Sequence, residues 1–179
     1  VSNFQEAVKK TLIHEGGYAN NAHDAGGETY KGISRVHHPD WEGWAIIDSY
    51  KSRQDFLQAL EADQKLQQLV IQKYVDGYWK NLYSQIDSQL VAEKLFDVGV
   101  LFGVGKAVKI LQAVLQPAFP EVTPDGQFGP TTLNAVNQAE ENSLLQGYKT
   151  ALVAYTLRIV LAHPEDREFV AGWGRRINS

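Results

Sequence analysis

Apolar positions recur at helical spacing over most of this chain, and two stretches break the period. Phe4, Ala7, Val8, Leu12 and Ile13 fall three or four residues apart and predict a first helix whose last turn holds Glu15. Gly16 and Gly17 follow at once, one of them expected in the left-handed conformation that closes helices. The period returns over 53–75, where Phe56, Leu57, Leu60, Leu66, Leu69, Val70 and Tyr74 form one face. Ser52 and Asp55 both offer N-cap chemistry there, and Asp76-Gly77 stops or bends the helix before Trp79, read as a packing residue. Val91, Leu95, Val98 and Phe102 predict an amphipathic helix from Ser88, Val104-Gly105 a break, and Ala107, Val108, Leu111 and Leu115 another helix. Pro117, Pro120 and Pro124 make a stiff linker and Asp125-Gly126 a turn. Gly129-Pro130 then opens a helix, because proline in a first turn forfeits no needed hydrogen bond. His163-Pro164 separates two final helices, 140–163 and 166–177, with Val153, Leu157, Val160 and Leu161 read as core.

The first break, residues 35–52, mixes Pro39, Gly43 and clustered histidines and tryptophans, and is read as irregular. Trp41, Trp44 and Tyr50 there have two readings. Their faces could form a wall on which sugar rings stack, or they could plug the core beneath a loop. The second break, His14 to Ser34, reads HEGGYANNAHDAGGETYKGIS. It holds five of the fifteen glycines and three carboxylates, Glu15, Asp24 and Glu28.

Glu15 is placed where a helix ends. The partial negative charge of a helix C-terminus opposes an ionised carboxylate by roughly 0.3–1 kcal/mol when exposed, so desolvation by neighbours such as Tyr18 would have to complete the tuning of a general acid. Asp24 follows nine residues later, room for an outbound strand, a turn and a partial return. Glycoside hydrolysis needs such a pair, one acid on the leaving oxygen and one base or nucleophile on the opposite face of the sugar. A separation of about 5–5.5 Å would point to retention and about 6.5–9.5 Å to inversion. The Thr29 hydroxyl could hold a water or a sugar hydroxyl. Spacing alone fits equally two solvated loop-edge charges and a turn threonine.

The longer string decides more. Glu15, Gly16, Gly17, Tyr18, Asn20, Asp24, Gly26, Gly27, Thr29, Gly32, Ile33 and Ser34 fit the pattern E-G-G-Y-x-N-x3-D-x-G-G-x-T-x-x-G-I-[ST]. This resembles glycoside hydrolase family 108, N-acetylmuramidases of the lysozyme superfamily also labelled secretion activators. The Glu, Asp, Thr order is similar to that of phage-type lysozymes. Many family members read T-N-Y-G-I where this chain has Thr29-Tyr30-Lys31-Gly32-Ile33, and F-D-x-x-V-N-x-G where Leu101 replaces the Asn. The YW-x-x-L segment at Tyr78 and the F-x-x-G-W-x-x-R ending at Phe169 extend the likeness over nearly the full length. The string DGQFGPTT at 125–132 resembles peptidoglycan-binding three-helix modules; physically it is also a good loop-to-helix device.

The resemblance implies a mainly α, lysozyme-like α+β fold, a helical bundle with a hairpin or loop lobe at 17–34 and a cleft beside it. It implies one compact domain, 1–179, with a glycosidase-like part, 1–87, and a C-terminal helical part, 88–179, resembling a peptidoglycan-binding region. Its implied substrate is the β-1,4 link between N-acetylmuramic acid and N-acetylglucosamine in peptidoglycan glycan strands. Glu15 is then the general acid, Asp24 orients water or stabilises the transition state, and Thr29 supports it. Tyr18, Asn20, Tyr30 and Trp44 are the candidate substrate-binding residues, and no cofactor is expected. A lytic transglycosylase, a chitinase-like enzyme and a non-catalytic wall-binding or secretion-promoting protein are the alternatives.

Composition narrows this further. A net charge of −4 argues against a nucleic-acid partner. Zero cysteines exclude disulfides and thiolate metal sites. His14, His23, His37 and His38 invite a zinc reading, but HEGGY lacks the second histidine of the H-E-x-x-H pair, so no metal is expected. The apolar run Ala151–Ala162, interrupted by Tyr155, Thr156 and Arg158, is too short to span a bilayer, so a soluble protein without membrane insertion is expected. No charged-then-apolar leader is visible, so synthesis in a bacterial or phage-infected cytoplasm, action on the wall and export without a signal peptide in this chain are expected. Oligomeric state is left open. Asp97, inside LFDVGVLFG, is either a third active-site carboxylate or a residue bonded to backbone amides, Arg175 or Arg176.

Overall fold

The computed structural model describes residues 2–20 and 27–179, apart from the side chain of His14. Contacts divide the chain into two compact units, Val8–Gly77, and Val1–Ala7 with Tyr78–Ser179. Among the described residues no helix is long and apolar enough to cross a membrane.

Helix α1 (Phe4–His14), which belongs to the first unit from Val8 onward, ends just before Glu15. Neither Gly16 nor Gly17 has positive φ, contrary to expectation; the chain leaves the helix in ordinary conformations and enters strand β1 (Tyr18–Asn20) at once. β1 pairs antiparallel with β2 (Glu28–Tyr30), Ala19 opposite Thr29, and β2 with β3 (Ile33–Ser34), Tyr30 opposite Ile33. The β2–β3 loop is the pair Lys31-Gly32, both at positive φ (44° and 75°), as a tight type I′ hairpin requires. The described part of the 17–34 lobe is thus a small sheet, in line with the lobe that the resemblance implies. Residues 35–52 are less irregular than expected, because α2 (Gly43–Tyr50) forms and buries Trp44 and Ile47. The helical run at 53–75 divides into α3 (Phe56–Ala62) and α4 (Gln64–Tyr78) at Asp63, whose backbone is extended. Its carboxylate accepts the Leu66 amide at 2.8 Å and the Tyr50 hydroxyl at 2.8 Å, so one residue ends a helix and caps the next. Asp55 stands at the α3 N-cap without capping; Arg53 holds its carboxylate at 2.7 Å.

The second unit is built on α5 (Gln89–Phe102), with every residue from Val91 to Gly99 buried. Ser88 caps it, accepting the Val91 amide at 3.1 Å. The break before α6 (Val104–Leu115) falls at Gly103, φ 87°, one residue earlier than expected, and Val104-Gly105 opens the next helix. Trp79 packs edge-on against Phe4, Tyr83 and Phe96, the packing role anticipated for it. α7 (Pro130–Gln138) begins with its proline in the first turn. α8 (Glu141–Ala162) is capped by Glu140, whose carboxylate accepts the Asn142 and Ser143 amides at 3.0 and 2.8 Å. A 3-10 segment, Pro164–Phe169, precedes α9 (Val170–Asn178).

Two readings of this unit are settled by burial. Asp97 is structural: its carboxylate takes the Arg176 Nε at 2.8 Å, joining α5 to α9. The α8 core face is Leu144, Tyr148, Leu152 and Thr156, whereas Val153, Leu157 and Leu161 are exposed. This helix carries apolar residues on several faces, so hydrophobic spacing could not say which one is covered.

Candidate active site

Glu15 is the first residue beyond α1, and its side chain is part-buried against the β2–β3 hairpin. A methyl group built on Gly32 would stand 2.5 Å from Glu15 Oε2 and 2.8 Å from the Tyr74 hydroxyl oxygen. The carboxylate and the phenol therefore crowd one α-carbon, which must be glycine for this reason as well as for its positive φ. Tyr74, on α4, donates at 2.9 Å to the carbonyl of Lys31, fixing the hairpin beside Glu15. Helix end, hairpin and α4 thus converge on Glu15 within the unit Val8–Gly77.

Strand alternation places Thr29 on the opposite face of the sheet from Glu28 and Tyr30. Glu28 is engaged in an ionic cluster. It accepts from the Tyr18 hydroxyl at 3.0 Å, from Arg35 at 2.7 Å and from Lys51 at 2.8 Å, and both cations also hold Asp48. Burial pushes the Glu28 carboxyl up, but the hydrogen bonds from Lys51, Arg35 and Tyr18 outweigh it and leave it below the ordinary range. Bonds from Arg35 and then Lys51 hold Asp48 well below the usual carboxylate range. Asp24 lies outside the described residues, so the acid pair has one placed member.

A family model described as Glycosyl hydrolase 108 matches residues 8–103. The chain belongs to this family. A second model, described as Predicted Peptidoglycan domain, matches residues 106–178. Among solved structures, that of Brucella abortus SagA is similar, with a TM-score of 0.64 at 24% identity over 98% of this chain and 89% of that one. The likeness supports the expected lysozyme-like fold, helix-dominated α+β. No curated protein matches.

Set in this glycosyl hydrolase 108 chain, the candidate substrate-binding residues separate by exposure. Tyr30 is 1% exposed; its hydroxyl faces the Leu60 carbonyl and Glu61 at 3.3 Å and accepts from Gln67 at 2.9 Å, and burial pushes it up to about 12. Trp44 is 2% exposed, donates from Nε1 to the His38 carbonyl at 2.8 Å and lies under the Arg35 guanidinium. Neither ring has a face open to a sugar, so both are corrected to core residues. Trp44 takes the plugging role, because α2 turns it inward. Tyr18 is half-buried, edge-on to Phe56 at 4.8 Å with its hydroxyl on Glu28, and Asn20 is exposed at the end of β1.

Gly32 stands in the motif, whereas the sequence marks Tyr74 only as one of seven positions on an apolar helix face. The signal was a hydroxyl on a face otherwise made of aliphatic and phenyl groups, since a buried tyrosine hydroxyl needs a partner. A separate groove of about 470 Å³ in the same unit runs between residues 37–42 and the outer face of α4, lined by His37, His38, Trp41 and Lys73 among others. Glu15, Tyr18 and Thr29 do not line it.

Proposed function

We propose that this protein is a peptidoglycan hydrolase of the lysozyme type, an N-acetylmuramidase acting on the cell wall with Glu15 as general acid. The observation that carries the reading is the packing of the Glu15 carboxylate on Gly32, which the Tyr74 hydroxyl also approaches, inside the segment matched by the glycosyl hydrolase model. A part-buried acid at a helix end, held by packing on a hairpin, has the pre-organisation that proton delivery to a glycosidic oxygen requires. Asp24 supplies the second carboxylate from the adjoining glycine-rich segment, with Thr29 in support; Tyr18 and Asn20 remain as substrate contacts.

Mass spectrometry of fragments from purified sacculi tests this. The wild-type chain is expected to release muropeptides with reducing N-acetylmuramic acid ends. Glu15→Gln is expected to fold, still to sediment with sacculi, and to lose about two to four orders of magnitude in rate, the contribution of one acid–base group. Products lighter by one water would make the enzyme a transglycosylase. Cleavage of chitin oligomers in preference to sacculi would make it chitinase-like, and binding without cleavage would leave a wall-binding protein.

A further inference from the structure

Between α6 and α8, in the unit that contains Tyr78–Ser179, lies a groove of about 610 Å³, well within the size range of small-ligand sites. Its origin is helix packing. Gly147 lets the two helices approach until a methyl group there would stand 2.9 Å from Val114 Cγ1, and the Tyr148 hydroxyl donates to the Ala107 carbonyl at 3.0 Å. Beyond these contacts small side chains, Ala113, Ala151, Ala154 and Ala162, leave space uncovered.

The chemistry of the lining is one-sided. Its ionisable side chains, apart from the Tyr155 phenol, are Lys106, Lys109, Arg158 and His163, and it contains no Asp, Glu, Asn or Gln. The chain as a whole is acidic, so this concentration of cations is local. Two are partly committed: Lys106 lies over the Tyr155 ring at 5.4 Å, and His163 stands 3.4 Å from the exposed Glu165. Lys109 has Asp125 within electrostatic reach. Lysine and arginine side chains donate hydrogen bonds and accept none. A sugar, whose hydroxyls must both donate and accept, finds few acceptors here. A ligand of carboxylates and methyl groups finds donors at the rim and apolar surface on the floor.

We propose that this groove binds the stem peptide of peptidoglycan, whose alanine methyls rest on the alanine floor while its free carboxylates meet Lys109 and Arg158. The proposal rests on the wall-directed reading above and assigns the matched C-terminal region to the peptide, not the glycan. Catalysis at Glu15 and retention on the wall then read different parts of one polymer.

The test uses the full chain carrying Glu15→Gln, so that the wall is not consumed, in pull-down on beads bearing intact sacculi and on beads bearing the same mass of glycan strands from sacculi stripped of stem peptides by an amidase, which are soluble and are therefore immobilised. Binding to intact sacculi is expected to be at least tenfold tighter than to stripped ones. Adding Lys109→Glu with Arg158→Glu, or separately Ala154→Trp to fill the groove without changing charge, is expected to lower it to the stripped level at unchanged Tm. A soluble alanine-glutamate-diaminopimelate-alanine peptide is expected to compete. Equal binding to both wall preparations, or folded variants that bind like the parent, overturns the assignment. Capture by anionic phospholipid vesicles, lost with the same charge reversals and matched by no preference for intact sacculi, also overturns it, in favour of a lipid surface. If the wild-type chain releases muropeptides while the preference is absent, only the groove assignment fails; if it neither binds nor cleaves sacculi, the wall-directed reading fails with it.

Discussion

Gly32 illustrates how one residue can carry two constraints. Its φ of 75° belongs to the tight hairpin, and its missing side chain is the space against which the Glu15 carboxylate rests. Gly32→Ala is expected to cost about 1–2 kcal/mol for the left-handed backbone alone. It is also expected to lower the rate of wall digestion at least tenfold, because Glu15 must move to admit a methyl group 2.5 Å away. Thermal unfolding and muropeptide release measured on the same preparation check both parts; full activity in a stably folded variant would show that the seating of Glu15 is unimportant. The glycine and the glutamate were both legible in the chain as members of a motif. That they touch was not, since they stand seventeen positions apart and no local period relates a helix end to a hairpin. The aromatic residues of this unit make the same point in reverse. Tyr30 and Trp44 have the composition of sugar-binding groups, and burial alone assigns them to the core.

Among the elements, the loop 116–129 is ordered largely through one side chain of α6. Gln112, 2% exposed, accepts the Gly126 amide at 2.8 Å and donates to Asp125 at 2.9 Å, the Gln127 carbonyl at 3.0 Å and Thr132 at 3.1 Å. The string DGQFGPTT reads as a loop-to-helix device, and the structure supplies the residue that fastens it from thirteen positions upstream of Asp125. Gln112→Ala removes the partner of the buried Thr132 hydroxyl and of the half-buried Gly126 amide and is expected to cost about 2 kcal/mol, measured by urea unfolding. A loss within a few tenths would mean that water replaces the amide. The helices themselves were largely legible from their period, with boundaries displaced where a cap decided them: Asp63 between α3 and α4, and Gly103 between α5 and α6. α8 was legible as a helix but not in its orientation, which depends on what α5, α6 and α9 cover.

For the molecule as a whole, the charge cluster around Glu28 contributes to the response to acid. Glu28 and Asp48 both lie below their ordinary values when folded. Each therefore contributes stability that is fully present above the unfolded values, about 3.9–4.3, and lost as pH falls through the folded ones. Tm is expected to be nearly constant from pH 7 to about 5 and to fall below about pH 4. Arg35→Gln is expected to lower Tm at neutral pH and to shrink the drop in acid. Added salt is expected to weaken the Asp48 contribution more than that of Glu28, because Asp48 is the more exposed of the two (side chains 42% and 10% exposed). An acid profile unchanged by the substitution would assign the loss to other carboxylates.

The chain by itself determined the predominance of helix, the order of most helices, the glycine-rich break at 14–34 and the position of Glu15 at a helix end. Each of these rests on periodicity or on backbone preferences confined to a few neighbouring residues. Only the tertiary structure decided which apolar faces are covered, that Asp97 belongs to Arg176, that Glu15 and Tyr74 meet at Gly32, and that the cations of α6 and α8 share a groove. Those outcomes depend on groups far apart in sequence meeting at contact distance, and packing, unlike period, has no local signature.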